Sequence, residues 1–237
     1  MSIIGTIILT SPVWGRVAAH EINKWFNERA EEKERRKIQK EREARQKAIP
    51  RHKIAVLGNQ GAGKTSLLLA MGAKVKDTTT SGTSQIESYD SFKIWVKDEA
   101  HIIEKGYDIG GGEEFLNTTV NGNTRLHNIV VSCDKIIYLI DINNIPKNGY
   151  NQTWDDDLGR LRMLMHEVEH HGGNKKIQVF ASHAKDIESQ EGTMNDYISL
   201  MKEHTNDLYI KELFDNIIAI DTSVRGDIKK IKNIVFA

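Results

Sequence analysis

A single cysteine, Cys133, occurs in 237 residues. No disulfide can form within one chain, so a disulfide framework is excluded and a reducing compartment fits. Cys133 follows Ile129, Val130 and Val131 closely and reads as a small core hydrophobe rather than a reactive thiol. Charge of one sign is not in excess: 33 Lys and Arg face 33 Asp and Glu. The total carries neither a nucleic-acid footprint nor an acidic tail, and no nucleic-acid partner is expected. No apolar run reaches the roughly 20 residues that a membrane-spanning helix needs. The nearest, Ile3 to Trp14, contains Gly5, Thr6, Thr10, Ser11 and Pro12, and Arg16 follows. It lacks a basic leading region and a small-residue cleavage site, which argues against a secretory signal peptide. No internal repeat is visible. Prolines number three, and one of them, Pro50, would stop a helix arriving from its N-terminal side.

What is present divides into three regions. Residues 1–26 are apolar with few charges. Ile4, Ile7, Ile8, Trp14, Val17, Ile22, Trp25 and Phe26 roughly follow a helical stripe, and two tryptophans at its polar end suit a membrane interface. A membrane anchor and a helix packed on the globular part or on a partner both fit. Residues 27–50 are dominated by Glu, Lys and Arg. Glu31 with Arg35, Glu32 with Arg36, Glu41 with Arg45 and Glu43 with Lys47 are i,i+4 pairs in the favoured order, which predicts a solvated helical stalk. Its positive excess would suit an anionic membrane surface. Ile38 is almost its only aliphatic residue, so a coiled-coil seam is not available.

Residues 51–237 are mixed and globular, and 39% apolar content across the chain supplies a core. Short apolar runs at Lys53–Leu57, Lys135–Ile140, Ile177–Ala181 and Ile217–Ile220 predict buried strands. Helices are expected over Lys64–Met71, Trp154–His170, Thr193–Phe214 and Ile228–Val235. Ser91–Val96 and His101–Tyr107 predict a strand pair turning near Lys97–Ala100. Buried strands alternating with helices indicate an α/β fold, a mainly parallel sheet covered on both faces, with ligands at the carboxyl ends of its strands.

The first strand runs into Gly58-Asn59-Gln60-Gly61-Ala62-Gly63-Lys64-Thr65, followed by Ser66 and a leucine run. This is GxxxxGKT between a strand and a helix. The glycines let several backbone N–H groups face one anion, and the following helix turns its positive end to it. Lys64 is a point charge for β and γ phosphates, and the Thr65 hydroxyl is suited to ligate Mg²⁺.

Beyond this loop the chain resembles a Ras-superfamily GTPase over about residues 51–235. Thr80, in Thr80-Ser81-Gly82, is similar to the switch threonine of Arf-like members, with Thr83 as the alternative. Asp108-Ile109-Gly110-Gly111 is similar to the DxxG motif, again closest to Arf-like proteins and, together with the N-terminal anchor, to the β subunit of the signal-recognition-particle receptor. The resemblance implies a three-layer sandwich of about six strands with one antiparallel edge pair. It implies GTP or GDP as ligand, with Mg²⁺ held by Thr65, Thr80 and, through water, Asp108. Gly111 would meet the γ phosphate. Gly112 stands where the catalytic glutamine is usual, which implies slow hydrolysis unless Glu113, Glu114 or a partner supplies the group. For the base, Ser182-His183-Ala184-Lys185-Asp186 is similar to N/T-K-x-D: Asp186 would accept from guanine, while His183 and Ala184 depart from the pattern. Asp221-Thr222-Ser223-Val224 is similar to T-S-A, which puts Ser223 and Val224 beside the guanine.

Three functions follow as alternatives: a GTP-binding switch with an effector or activating protein as partner, a P-loop ATPase using Asp141 as its Walker B residue, and a scaffold locked in GTP. The expected location is the cytoplasm, with membrane association through residues 1–26. Separately, His166-Glu167-Val168-Glu169-His170 matches HExxH, which places two histidines on one helix face with Glu188 as a third metal ligand. The extended form fails at Lys176, and the plainer account is a polar helix end stopped by Gly172-Gly173.

Overall fold

The structure, a computed structural model, describes residues 12–74, 86–109, 119–120, 122–185 and 193–236. The chain divides into two units, Met1–Ile49 and Pro50–Ala237. In the first, one helix, α1 (Pro12–Lys47), runs without a break through the change from apolar to charged sequence. Two of the expected charge pairs form along it, Glu31–Arg35 at 3.5 Å and Glu32–Arg36 at 2.6 Å. Trp25 meets Phe26 edge to face, and the Arg29 guanidinium lies over the Trp25 ring. Among the described residues no helix is long and apolar enough to cross a membrane.

The second unit is built on β1 (Arg51–Gly58), α2 (Lys64–Met71), β2 (Ile86–Tyr89), β3 (Phe92–Val96), β4 (Glu99–Ile109), β5 (Thr119–Val120), β6 (Asn123–Thr124), α3 (Arg125–Ser132), β7 (Lys135–Asp141), α4 (Gln152–His171), β8 (Ile177–Ser182), α5 (Met194–Glu203), α6 (Leu208–Asp215), β9 (Ile218–Ala219) and α7 (Arg225–Phe236). The main sheet runs β2-β4-β1-β7-β8-β9, with β3 also on β4. The ladders of β4, β1, β7, β8 and β9 are parallel; β2 and β3 are antiparallel to β4. β4 is long enough to carry both: β3 pairs with its first half and β2 with its second. This makes seven strands where about six were expected. The β3–β4 connection is the two-residue turn Lys97-Asp98, both with positive φ, 46° and 70°, the backbone that matches strand twist.

A fully buried strand reads as a continuous apolar run, yet its side chains still alternate. On β1, Ala55 and Leu57 join a core under α3, α4, α5 and α6, while Ile54 and Val56 join a second core under α2 and α7. α4 buries Trp154, Leu158, Leu161, Leu164 and Val168, one stripe at helical spacing. Cys133 belongs to the first core at 0% exposure, and burial pushes its thiol up to about 11.

Two sequence expectations change. The single helix expected over Thr193–Phe214 is two helices. Asp207 stops the run and caps α6, its carboxylate accepting from the Tyr209 and Ile210 N–H groups at 3.0 and 3.2 Å. Helix α3 was not expected; Thr124 caps it by accepting from His127 N at 3.1 Å.

Candidate functional site

The carboxyl end of β1, the central strand, turns at Gly58 (φ 141°), Gly61 (φ 86°) and Gly63 (φ 84°). At Gly58 two requirements coincide. Its φ is open only to glycine, and a Cβ there would lie 2.2 Å from the carbonyl oxygen of Leu139, its register partner on β7. Gly63 starts α2 in the left-handed conformation with no side-chain cap, so the first N–H groups of α2 are left to face the loop. Ala62 is fully buried, Gln60, Gly61 and Ser66 are exposed, and Asn59 and Lys64 are buried polar residues. Lys64 Nζ donates to the Asn59 carbonyl oxygen at 2.8 Å, curling over the loop. Burial lowers the Lys64 pKa below the ordinary lysine value, and the Asp108 carboxylate works against that shift.

The first residue of the leucine helix to point out of the loop after Lys64 is Thr65. Its hydroxyl donates to Asp108 Oδ2 on β4 in a short hydrogen bond. Asp108 is 0% exposed, and its other oxygen, Oδ1, has no hydrogen-bond partner among the described residues. A fully buried carboxylate oxygen without a partner is costly. A hydroxyl and a carboxylate, both hard oxygen donors, stand at the mouth of an anion-binding loop; this donor set fits Mg²⁺, which binds oxygen and shares its shell with phosphates. Tyr89 on β2 is close by, its hydroxyl pushed up to about 12 by burial and by the Asp108 charge, so it remains neutral. Asp141, the other acidic candidate, sits at the end of β7 and is used differently: Oδ1 accepts from Asn143 N at 2.9 Å and caps the turn that follows.

The sequence over residues 53–224 matches the Gtr1/RagA G protein conserved region. The chain belongs to the Gtr1/RagA G protein family. It is therefore a P-loop GTPase of a GTP-binding family, and the α/β sandwich is the fold that goes with it. No curated protein matches the sequence significantly.

In this G protein the residues that the sequence motifs put beside the base converge on the loop. His183, in a left-handed backbone conformation (φ 64°), brings Nε2 within 2.9 Å of the Gly61 carbonyl oxygen and 3.8 Å of Asp141. Lys185 Nζ donates to Ser223 Oγ at 3.0 Å and pairs with Asp221 at 3.2 Å. Asp221 also accepts from the Ser223 N–H and hydroxyl; the Ser223 hydroxyl bond, chiefly, holds its carboxyl below the ordinary value. Val224 N donates to the Asp221 carbonyl oxygen at 3.0 Å. Thr222 packs against Gly63. The β8 and β9 ends are thereby tied to each other and to the phosphate loop. Thr80, Thr83, Gly110, Gly111, Gly112, Glu113, Glu114, Asp186 and Glu188 lie outside the described residues.

Sequence reasoning missed a buried polar cluster under the loop. Arg160 of α4 makes a short hydrogen bond to Asn59 Oδ1 and faces Asp157 at 3.7 Å. Asn59 Nδ2 donates to the Thr153 carbonyl oxygen at 2.8 Å. The Tyr138 hydroxyl donates to Asp157 Oδ1 at 2.8 Å and its carbonyl oxygen at 3.2 Å. Burial pushes Asp157 up to about 6, although Arg160 opposes it. The one signal was Asp157 and Arg160 falling on the apolar stripe of α4, beside Leu158 and Leu161.

Among the described residues the HExxH histidines are engaged differently from the metal-ligand expectation. His166 and His170 stack at 4.1 Å, but His170 Nδ1 faces the His166 carbonyl oxygen at 2.8 Å. Glu167 turns away from them, onto His127 of α3.

Proposed function

We propose that this protein is a GTP-binding switch with slow or partner-assisted hydrolysis, tethered to the cytoplasmic face of a membrane. The observation that carries the proposal is the Thr65–Asp108 pair, with Asp108 Oδ1 unpartnered among the described residues, set beside a phosphate loop closed by Lys64. Thr65 and Asp108 would hold Mg²⁺, whose charge offsets that of the β and γ phosphates. The pairing favours Asp108 over Asp141 as the metal-side acid and so speaks against the ATPase reading; Asp141 caps its own turn instead.

The remaining roles rest on motif position. Thr80 would sense the metal and γ phosphate, Gly111 would present its N–H to the same group, and Asp186 would select guanine. Ser223 and Val224 would border the base, and Lys185 holds their loop through Ser223 and Asp221. His183 takes the asparagine position of the base motif, and its contact with the Gly61 carbonyl joins base loop to phosphate loop. Gly112 has no side chain to orient a water, so a slow intrinsic rate follows unless a partner intervenes. The stretches 77–90 and 109–125, which include β2 and the β5–β6 pair, would order with GTP and relax with GDP, to be read by an effector or activating protein. The Arf-like character of Asp108-Ile109-Gly110-Gly111 and the interfacial tryptophans of residues 1–26 support a membrane-bound setting.

The test is the nucleotide carried by freshly purified protein, with Asp186→Asn beside it. Guanine nucleotide, and a shift of the variant toward xanthine nucleotide, are expected. Bound adenine nucleotide would overturn the reading, and an unchanged GTP preference in the variant would remove Asp186 from the base site.

A further inference from the structure

We propose a transition-metal site, separate from the nucleotide site, formed by His127 of α3 with Glu167 and His171 of α4. Among the described residues these three form the cluster of metal-ligating side chains: their candidate ligand atoms all lie within 4.8 Å of one another. His127 Nδ1 is 2.7 Å from Glu167 Oε1, and His171 Nε2 is 3.8 Å from the same oxygen. The two imidazole rings approach edge to face at 4.6 Å. Glu167 and His171 are i,i+4 neighbours on one helix face, and His127 reaches them from the neighbouring helix, so the set is held by two packed elements.

The distances suit a small tetrahedral ion. Zinc binds histidine nitrogen and carboxylate oxygen at about 2.0–2.2 Å, which sets neighbouring ligand atoms roughly 3.3–3.5 Å apart. The observed 2.7 and 3.8 Å lie on either side of that spacing and the two histidine nitrogens lie within 4.8 Å of each other, so rotamer adjustments of roughly 1 Å bring all three onto one ion. Two imidazoles with one carboxylate is a borderline-soft donor set that prefers Zn²⁺, Co²⁺ or Cu²⁺ over Mg²⁺. Glu167 is mostly buried at 16% side-chain exposure, whereas His171 is half exposed at 49%. One side is therefore open to water, which supplies the fourth ligand. The ion takes the place of the hydrogen between His127 and Glu167: His127 binds it through the Nδ1 lone pair as a neutral imidazole, with its one N–H on Nε2.

Occupancy would staple α3 to α4. The same α4 holds the phosphate loop through Arg160 and Asn59, and α3 follows the segment that leaves Asp108. The site thus shares α4 with the support of the phosphate loop, further toward the C-terminal end of that helix, without using any residue assigned to the nucleotide.

The experiment uses the full chain without a histidine tag, saturated with Mg²⁺ and GDP so that the nucleotide site is filled. Zn²⁺ is titrated by calorimetry, and Co²⁺ by visible absorption. One equivalent should bind, with an intense tetrahedral Co²⁺ spectrum. His127→Ala and His171→Ala should each weaken binding at least about 100-fold, while Glu167→Gln should weaken it about tenfold or more. His166→Ala/His170→Ala should leave it unchanged. Retained GDP affinity and circular dichroism show that the variants fold. Zinc that binds no more than at the nucleotide site, or binding that survives His127→Ala but is lost with His166 and His170, overturns the proposal.

Discussion

Replacing Gly58 by alanine is the sharpest test of the phosphate-loop geometry. Two costs add. Holding a non-glycine residue at φ 141° costs about 1–3 kcal/mol. The new Cβ would also stand 2.2 Å from Leu139 O. That oxygen belongs to the backbone of the adjoining central strand and has no rotamer by which to retreat. Separating them to ordinary contact, 3.4 Å or more, needs at least about 1.2 Å of movement between β1 and β7, of the kind that costs about 1–3 kcal/mol in a packed core. Together these predict about 2–6 kcal/mol, and a melting temperature lower by roughly 4–24 °C for a domain of this size. The same movement displaces the N–H groups that meet the phosphates, and losing one or two such charge-assisted bonds predicts about 10- to 100-fold weaker GDP binding. Gly173→Ala is the control: φ is 64° and nothing lies within 4 Å of its Cβ, so only the backbone cost of about 1 kcal/mol applies. Thermal unfolding with and without GDP, and fluorescent-GDP titration, read both effects. Gly58→Ala protein that melts and binds like Gly173→Ala would refute the close approach of Gly58 to β7.

Asp157 should make stability fall as pH rises. Its carboxyl is pushed up to about 6 from 3.8, so the folded state binds its proton more tightly than the unfolded chain. The contribution is full below about 4 and is lost as pH rises through about 6, a change of about 3 kcal/mol. Denaturant unfolding of wild type against Asp157→Asn from pH 4 to 7 should show this difference; parallel curves would deny that the buried carboxyl costs stability when ionised. Asp108→Asn should make GDP release insensitive to chelating Mg²⁺, whereas release from wild type should accelerate at least about tenfold on chelation; stopped-flow release that responds equally in both removes Asp108 from the metal. Phe214→Ala, at a fully buried ring 6.0 Å from that of Trp154, should cost about 3–5 kcal/mol, read by urea unfolding with an unchanged slope; a loss below about 1 kcal/mol would mean that α6 is not packed into the core as described.

What the sequence determined by itself is whatever short-range chemistry forces. Gly58, Gly61 and Gly63 with Lys64 and Thr65 form a phosphate loop wherever they follow a buried strand, because the φ values and the donors are local properties. Buried strands such as Lys135–Asp141 announce themselves by continuous apolar character, and the Lys97-Asp98 turn by the polar break between two β-branched and aromatic runs. Tertiary structure decided what depends on two distant segments meeting. Asp108 and Asp141 both end strands beside β1, and only the side to which the Thr65 hydroxyl turns tells them apart. Asn59 and Arg160 are paired across most of the domain because α4 lies along the first core, and no spacing in the sequence records that. Glu167 looked like part of a metal motif with His166 and His170. Helix geometry points it instead at His127, 40 residues away in sequence, because a helix fixes which neighbours share a face but not which other helix comes to meet it.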